Sequence, residues 1–193
     1  RREWLFVASW QTVQPVEDLA HLQISGSSQE MARVLIINTG GTFGMKPLQP
    51  TEGQQGLQLA PAPGFLRSFL EGMQEIHDPA MPQFEVRELE PLIDSSAMGP
   101  ADWNNIAGTI ERNYIKYDGF VVIMGTDTMA YAASALSFML ENLAKPVVFT
   151  GSMIPLCEPY NDARRNLVLS MQFAAARQSF PEVMIFFNDR LMR

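Results

Sequence analysis

Residues 118–152 constrain the fold of this chain more than any other stretch. They begin with a continuous apolar run at residues 120–124, which is typical of a strand buried on both faces of a parallel sheet. After a short polar turn, residues 129–143 are rich in Ala, Leu and Met and contain neither Gly nor Pro, which predicts a helix. We expect Pro146 to end that helix and residues 147–149 to form the next buried strand. The order strand, turn, helix, strand is a βαβ unit, which implies a parallel sheet.

The polar turn inside this unit is the first candidate site. Thr126 and Asp127 follow the strand directly, and open α/β sheets bind their ligands at the carboxyl ends of strands. Lys145 begins the next strand. A hydroxyl, a carboxylate and an amine near one crevice are the ingredients of an activated nucleophile. The alternative is that this turn only caps the following helix, with Asp127 or Thr128 as the N-cap residue.

Strands and helices alternate along the rest of the chain. Apolar patterns predict strands at residues 34–37, 84–89 and 183–187, and helices at residues 63–76, 100–114 and 162–176. The predicted fold class is therefore α/β, a parallel sheet covered by helices on both faces in three layers. We assign residues 1–30 to an N-terminal extension and residues 31–193 to the domain. Residues 46–63 predict a long loop, either a lid or a solvated connection.

Small hydroxyl residues follow three of the predicted strands, and they should gather along one edge of the sheet. They are Thr42, Ser95 with Ser96, and Thr126 with its neighbour Asp127. Thr39 and Thr42 are both expected to present hydroxyls on the first of these turns. Gly40 and Gly41 permit positive φ and a close approach to the backbone. A dinucleotide fingerprint is a poor alternative, because the glycines are spaced G-G-x-x-G and no helix follows directly. The convergence of three strand ends predicts a functional site.

Composition excludes several classes of function. The chain has 193 residues, 47% apolar and 18% charged, which is enough for one well-cored domain. Its net charge is −7 and it has no dense Lys/Arg cluster, so we expect neither nucleic-acid nor membrane partners. One cysteine, Cys157, excludes an internal disulfide, and with no signal peptide the chain is expected in the cytoplasm. His21 and His77 have no second ligand at a suitable spacing, so no metal site is predicted.

Four motifs, in order, resemble the successive signatures of the L-asparaginase family. They are T-G-G-T-F-G-M at residues 39–45, D-S-S-A-M at 94–98, G-T-D-T-M at 125–129 and K-P at 145–146. The resemblance is strongest to the cytosolic type I bacterial branch and its animal relatives, and it covers residues 34–193. It implies the family's N-terminal α/β domain alone, with the C-terminal domain absent.

The resemblance also implies roles for the residues that match these motifs. Thr42 resembles the nucleophile that attacks the side-chain amide of L-asparagine. Thr126, Asp127 and Lys145 resemble the second catalytic group, which polarises the threonine hydroxyl. A lysine that is crowded or desolvated enough to lose its proton could serve as the base. The implied reaction yields L-aspartate and ammonia through an acyl-enzyme ester.

Substrate recognition follows from the same resemblance. Asp94, Ser95 and Ser96 resemble the loop that holds the α-carboxylate and α-amino groups of the substrate, together with Thr126 and Asp127. The resemblance implies neither a cofactor nor a metal, and it implies a homo-oligomer for the full-length form.

Three positions depart from the family pattern. Ala97 stands where an acidic residue is common, Met124 where histidine is frequent, and Met153 where glutamine is usual. Three alternatives therefore stay open. They are an asparaginase-like subunit of a glutamyl-tRNA amidotransferase, a lysophospholipase, and a truncated binding domain without catalysis.

Overall fold

The computed structural model describes residues 31–47, 59–176 and 180–193. The predicted N-terminal extension at residues 1–30 lies outside the described residues, as does the middle of the predicted loop. The described strands are β1 (Arg33–Asn38), β2 (Met45–Pro47), β3 (Leu59–Pro61), β4 (Gln83–Glu88), β5 (Gly119–Ile123), β6 (Val147–Thr150), β7 (Val183–Phe187) and β8 (Arg190–Met192). The described α-helices are α1 (Phe65–Glu71), α2 (Pro100–Asn113), α3 (Met129–Met139) and α4 (Ala163–Ala175).

The main sheet has the strand order β4-β1-β5-β6-β7-β8. Its first five strands are parallel, and Ile36 of β1 pairs with Val86 of β4 on one side and with Val121 of β5 on the other. The parallel sheet predicted from the apolar runs is confirmed. Strand β8 was not predicted, and it runs antiparallel to β7 after a turn at Asn188 and Asp189, both of which have positive φ.

Helices cover both faces of this sheet, as predicted. Along β1, Val34 and Ile36 point into one apolar cluster, whereas Leu35 and Ile37 point into the other, because side chains alternate along a strand. The first cluster includes residues of α1 and α4, namely Leu66, Leu70, Leu167 and Met171. The second includes residues of α2 and α3, namely Ile106, Ile110, Ala132 and Leu136. The domain therefore has three layers. No helix among the described residues is long and apolar enough to span a bilayer.

Two predicted helices are shorter than expected. The prediction for residues 63–76 is wrong beyond Glu71, because the chain leaves the helix at Gly72 and Gln74–His77 form a separate 3-10 helix. The prediction for residues 129–143 is wrong beyond Met139. Leu140 departs from helical geometry and Asn142 has a φ of 54°, a left-handed conformation that asparagine tolerates. The turn after α3, and not Pro146, therefore ends that helix.

The ends of the predicted loop at residues 46–63 pair with each other. Met45 pairs with Pro61 and Lys46 with Ala60, so β2 and β3 form a small antiparallel sheet. The loop prediction is wrong for these residues, while residues 48–58 lie outside the described ranges. This small sheet begins directly after the Thr42 turn, and it therefore borders the candidate site.

Candidate functional site

The turn after β1 presents one of its two threonine hydroxyls. Thr39 is buried, and both its backbone N–H and its Oγ1 hydroxyl donate to the carbonyl of Ile123, at 2.9 and 3.1 Å. The expectation that Thr39 offers a free hydroxyl is therefore wrong. Thr42 is half-buried and begins the 3-10 helix Thr42–Gly44 behind Gly41. Within the described ranges the Thr42 hydroxyl has no hydrogen-bond partner, so it is available to a ligand.

The turn after β4 is closed by its own aspartate. Asp94 Oδ1 accepts from the Ser96 backbone N–H and from the Ser96 hydroxyl, both at 3.0 Å, ahead of the 3-10 helix Ser95–Ala97. Asp94 and Ser96 are exposed, whereas Ser95 is 2% exposed. Asp94 therefore uses one carboxylate oxygen to hold the turn and leaves the other for a ligand.

The turn after β5 carries the third group of candidate residues. Asp127 is exposed, and its carboxylate has no partner in the part of the chain that the structure describes. Thr126 is half-buried, and its hydroxyl donates weakly to the Met153 Sδ atom at 3.8 Å. Thr128 occupies the N-cap position of α3, but its hydroxyl donates to the Ser95 carbonyl at 2.7 Å instead of capping the helix. The interpretation that this turn only caps α3 is therefore wrong, because no side chain caps that helix.

Glycines allow these three turns to touch one another. A Cβ atom on Gly40 would lie 2.4 Å from the Ile93 carbonyl oxygen, and one on Gly41 would lie 2.3 Å from the Gly125 nitrogen. A Cβ on Gly125 would lie 2.4 Å from the Ser95 Oγ atom. Distances this short leave no room for a side chain, and Gly41 also has a φ of 81°. The structure thus brings the turns of Thr42, Ser95 and Thr126 together, as predicted from the three strand ends.

A fourth turn at the same edge was not predicted. Residues 151–157, which we call the β6 loop, follow β6 and contact the Thr42 turn. The Leu156 backbone N–H donates to the Phe43 carbonyl at 3.2 Å, and the Cys157 thiol donates to the Met45 carbonyl at 3.5 Å. Burial raises the pKa of that thiol, so Cys157 acts here as a protonated donor. The sequence did contain a signal for this fourth turn, because small residues again follow a buried strand there.

Lys145 does not lie at this edge, so the prediction that it shares a crevice with Thr126 is wrong. It precedes β6, and its ammonium donates to the carbonyl of Tyr117 at 2.7 Å and to that of Tyr114, above the Tyr114 ring. The start of a parallel strand lies at the opposite edge of the sheet from the end of its neighbour. The four residues of β6 alone separate these edges by roughly 10 Å. Lys145 instead binds carbonyls of the segment that directly follows α2.

The described turns at the carboxyl ends of the parallel strands, which together we call the carboxyl edge of the sheet, thus present hydroxyls, carboxylates and backbone amides. Among the described residues, no group of three or more His, Cys, Asp and Glu is arranged to hold a metal ion. The three departures lie near this edge: Met124 is buried, whereas Ala97 is exposed and Met153 is 66% exposed. Threonine hydroxyls beside a carboxylate and glycine-rich backbone suit acyl transfer.

Comparison with known proteins agrees with this arrangement. The family model for the N-terminal domain of asparaginases matches residues 33–193. L-asparaginase 1 of Escherichia coli K12 is 50% identical over 160 residues, covering 83% of this chain and 45% of that protein. The 60 kDa lysophospholipase of Mus musculus is 43% identical over 182 residues, covering 83% of this chain and 31% of that protein.

Solved structures show the same similarity in three dimensions. L-asparaginase I from Vibrio cholerae superposes with a TM-score of 0.75 at 49% identity, covering 85% of this chain and 47% of that one. The thermostable L-asparaginase from Thermococcus kodakarensis gives a TM-score of 0.66 at 36% identity, covering 83% and 45%. The chain therefore spans less than half the length of these relatives.

Proposed function

Because this chain belongs to the asparaginase family, we propose that the protein hydrolyses the side-chain amide of L-asparagine to L-aspartate and ammonia. The proposal concerns the whole protein, since the chain spans 45% of the E. coli L-asparaginase 1 that it resembles. No cofactor or metal takes part in the proposed reaction.

The contact between Gly41 and Gly125 carries this proposal. Their backbones meet closely enough that a Cβ on Gly41 would lie 2.3 Å from the Gly125 nitrogen. Thr42 follows the first glycine and Thr126 the second, so a nucleophile and a second polar group lie on adjoining turns. This juxtaposition supports the interpretation of Thr42 as the nucleophile.

The proposed chemistry has two steps. The Thr42 Oγ attacks the amide carbon, and the carbonyl oxygen becomes an oxyanion. The C–N bond then breaks, and the amide nitrogen takes up the proton lost by the Thr42 hydroxyl and leaves as ammonia, which gives an ester. Water then attacks the ester, releases L-aspartate and returns the proton to Thr42. Backbone N–H groups of the glycine-rich turns stabilise the oxyanion, each contributing on the order of 3 kcal/mol.

Thr126 and Asp127 form the second catalytic group in this proposal. The Asp127 carboxylate is exposed, and the Thr126 hydroxyl has only the weak Met153 acceptor, so both are available to a substrate. We do not assign Lys145 to this group, because its ammonium is bound at the other edge of the sheet.

Asp94 and Ser96 recognise the polar end of the substrate. The free oxygen of the Asp94 carboxylate suits the α-ammonium group, and the exposed Ser96 hydroxyl suits the α-carboxylate. Ser95 is buried against Gly125, so its contribution is the placement of this turn against the Thr126 turn.

We further propose that the full-length protein is a cytoplasmic homo-oligomer. A Campylobacter jejuni protein described as a probable cytoplasmic L-asparaginase supports the location, with a TM-score of 0.68 at 26% identity. Size-exclusion chromatography with light scattering on the full-length protein tests the oligomer, and a monomer would contradict it.

The test of function is ammonia release from L-asparagine, with L-glutamine in parallel, for the full-length protein and its Thr42→Ala variant. We expect release by the wild type and loss of at least about 1,000-fold in the variant, since the nucleophile is removed. The same assay on residues 31–193 measures whether this domain suffices. If the folded full-length wild type released no ammonia, that result would overturn the proposal and favour a binding domain without catalysis.

A second candidate comes from the names of two relatives. The 60 kDa lysophospholipases of mouse and human are 43% and 41% identical to this chain. Fatty-acid release from lysophosphatidylcholine, measured on the same preparation, tests it. Thr42→Ala again serves as the control, because an ester substrate would need the same nucleophile.

A further inference from the structure

We propose that Asp162 is a positioning residue that holds the turns of Thr42 and Thr126 in register by fixing the β6 loop between them. The inference rests on the proposed function for its kinetic consequence, although the contacts that carry it do not depend on the substrate. Asp162 is not one of the residues to which the family resemblance assigned a role.

Both carboxylate oxygens of Asp162 bind the β6 loop. Oδ2 accepts from the Met153 backbone N–H and Oδ1 from the Ile154 backbone N–H, each at 3.0 Å. Asp162 occupies the N-cap position of α4, yet its side chain makes no capping bond to its own helix. The carboxylate is thus directed at a loop that precedes it by eight or nine residues. Hydrogen bonds to an ionised carboxylate are stronger than neutral ones, so this clamp is well suited to fix a loop.

Two asparagines on either side of Asp162 reinforce the clamp. Asn166, 2% exposed, donates from Nδ2 to the Gly151 carbonyl at 2.9 Å and, at 3.4 Å, to Asp162 Oδ2. Asn161 donates from Nδ2 to the Glu158 carbonyl at 2.6 Å. The start of α4 therefore holds the β6 loop at its beginning, its middle and just beyond its end.

The clamped loop contacts both of the catalytic turns. Met153 Sδ accepts from the Thr126 hydroxyl at 3.8 Å, and the Leu156 N–H donates to the Phe43 carbonyl at 3.2 Å, next to Thr42. Met153 is 66% exposed, so packing does not fix its side chain. Its place beside Thr126 follows from its backbone, and Asp162 binds the N–H of that residue.

This arrangement predicts an effect on turnover more than on substrate binding. Thr42 and Thr126 must be aligned with the reacting carbon, and a small misplacement of reacting groups lowers the rate steeply. Asp94 and Ser96, which we assign to the polar end of the substrate, have no bond to the β6 loop among the described contacts. Loss of the clamp should therefore lower kcat and leave KM nearly unchanged.

The kinetic test uses the full-length protein with Asp162→Asn, which keeps the shape but presents an NH₂ group to one of the two loop amides. Glu111→Gln, an exposed change on α2 with the same loss of charge, is the matched control. We expect kcat with L-asparagine to fall at least about ten-fold in Asp162→Asn, with KM within two-fold. A kcat within two-fold of the wild type, or a loss confined to KM, would overturn the proposal. If Asp162→Asn does not fold, Asp162→Ser replaces it, because serine also suits the N-cap position of α4 but lacks the carboxylate that binds the loop. An unchanged kcat in that variant would overturn the proposal equally.

A second measurement separates this inference from the proposed function. In protein labelled with ¹³C-methyl methionine, the Met153 resonance is identified by its loss in Met153→Leu. We expect this resonance to shift in Asp162→Asn and to stay in place in Glu111→Gln. An unmoved resonance would refute the clamp even in an active enzyme. A moved resonance in a protein that releases no ammonia would support the clamp while refuting the asparaginase proposal.

Discussion

The main sheet carries different kinds of polar groups at its carboxyl edge, where the parallel strands end, and at its amino edge, where they begin. At the carboxyl edge, the turns of Thr42, Ser95 and Thr126 meet through glycines, and the Thr42 hydroxyl and Asp127 carboxylate have no partner among the described residues. At the amino edge, charged and phenolic groups bind one another. The Tyr117 hydroxyl donates to Glu85 at 2.6 Å, and Arg33 donates to the same carboxylate at 3.0 Å.

Two groups with shifted pKa values, Tyr117 and Glu85, bind each other at the amino edge. Burial, together with the hydrogen bond to Glu85, raises the pKa of Tyr117 to about 12. The hydrogen bond from Tyr117, aided by Arg33, lowers the pKa of Glu85 below its usual range. Perturbed groups often mark functional sites, but structural networks perturb pKa values as well. Here the perturbed groups are satisfied by each other, whereas the edge with free hydroxyls is the one suited to bind a substrate.

The largest expected effect follows from forcing the turns of the carboxyl edge apart. Gly41→Ala would place a Cβ 2.3 Å from the Gly125 nitrogen, at a φ of 81°. We expect a loss of more than about 3 kcal/mol in the free energy of unfolding, because both the contact and the conformation are unfavourable. Gly99→Ala is the control, since nothing lies within 4 Å of its Cβ position. Urea unfolding of both variants tests this, and equal midpoints would contradict the close contact.

A smaller effect is expected from removing one hydroxyl at the same edge. Thr126→Val keeps the shape of the side chain but loses the group assigned to catalysis. We expect kcat/KM with L-asparagine to fall about 100-fold or more, with little change in stability. Thr128→Val removes the bond to the Ser95 carbonyl instead and should cost about 1 kcal/mol in stability. If Thr128→Val impaired turnover more than Thr126→Val, the assignment of the two threonines would be wrong.

Lys145→Met tests the amino edge. This variant removes the ammonium that binds the carbonyls of Tyr114 and Tyr117. We expect a loss of about 2 kcal/mol in stability, since hydrogen bonds to charged groups are worth that order of energy. We expect kcat to stay within two-fold of the wild type, measured by ammonia release from the folded full-length protein. A large loss of kcat with unchanged stability would contradict this expectation and support a catalytic role for Lys145.

The smallest effect concerns the pH dependence of stability. The pKa of Tyr117 is raised in the folded state, so its stabilising contribution is complete below pH 10 and declines as the pH rises from 10 through about 12. We expect the wild type to lose about 1 kcal/mol from this group by pH 11, and Tyr117→Phe to lack that decline. Tyr160→Phe, at an 88% exposed position, is the control and should decline like the wild type. Parallel decline in all three proteins would contradict the shift.

Much of the fold could be predicted from the sequence, because buried parallel strands produce recognisable apolar runs. The strands at β1, β5, β6 and β7 were predicted within a few residues for this reason. Helix ends were less predictable. The early ends of α1 at Gly72 and of α3 at Leu140 depend on local backbone angles, and a pattern of apolar side chains does not record those angles.

The error over Lys145 has a physical explanation. Lys145 lies at the start of β6, the next strand after the Thr126 turn, and this suggested that the two residues are close in space. A parallel strand, however, starts at the edge of the sheet opposite to the end of its neighbour. The prediction of a parallel sheet already implied this separation. Conversely, Asp162 gave no sequence signal, because its partners are backbone amides and any residue can supply them.

The sequence by itself determined that hydroxyls and glycines follow the buried strands, and that these strand ends lie along one edge. It did so because the side-chain pattern of a buried parallel strand is local. The tertiary structure alone decided which hydroxyls stay free. Thr39 donates to the Ile123 carbonyl at the end of β5 and Thr128 to the Ser95 carbonyl on a neighbouring turn, whereas Thr42 makes no such bond among the described residues. Such bonds depend on how separate segments pack.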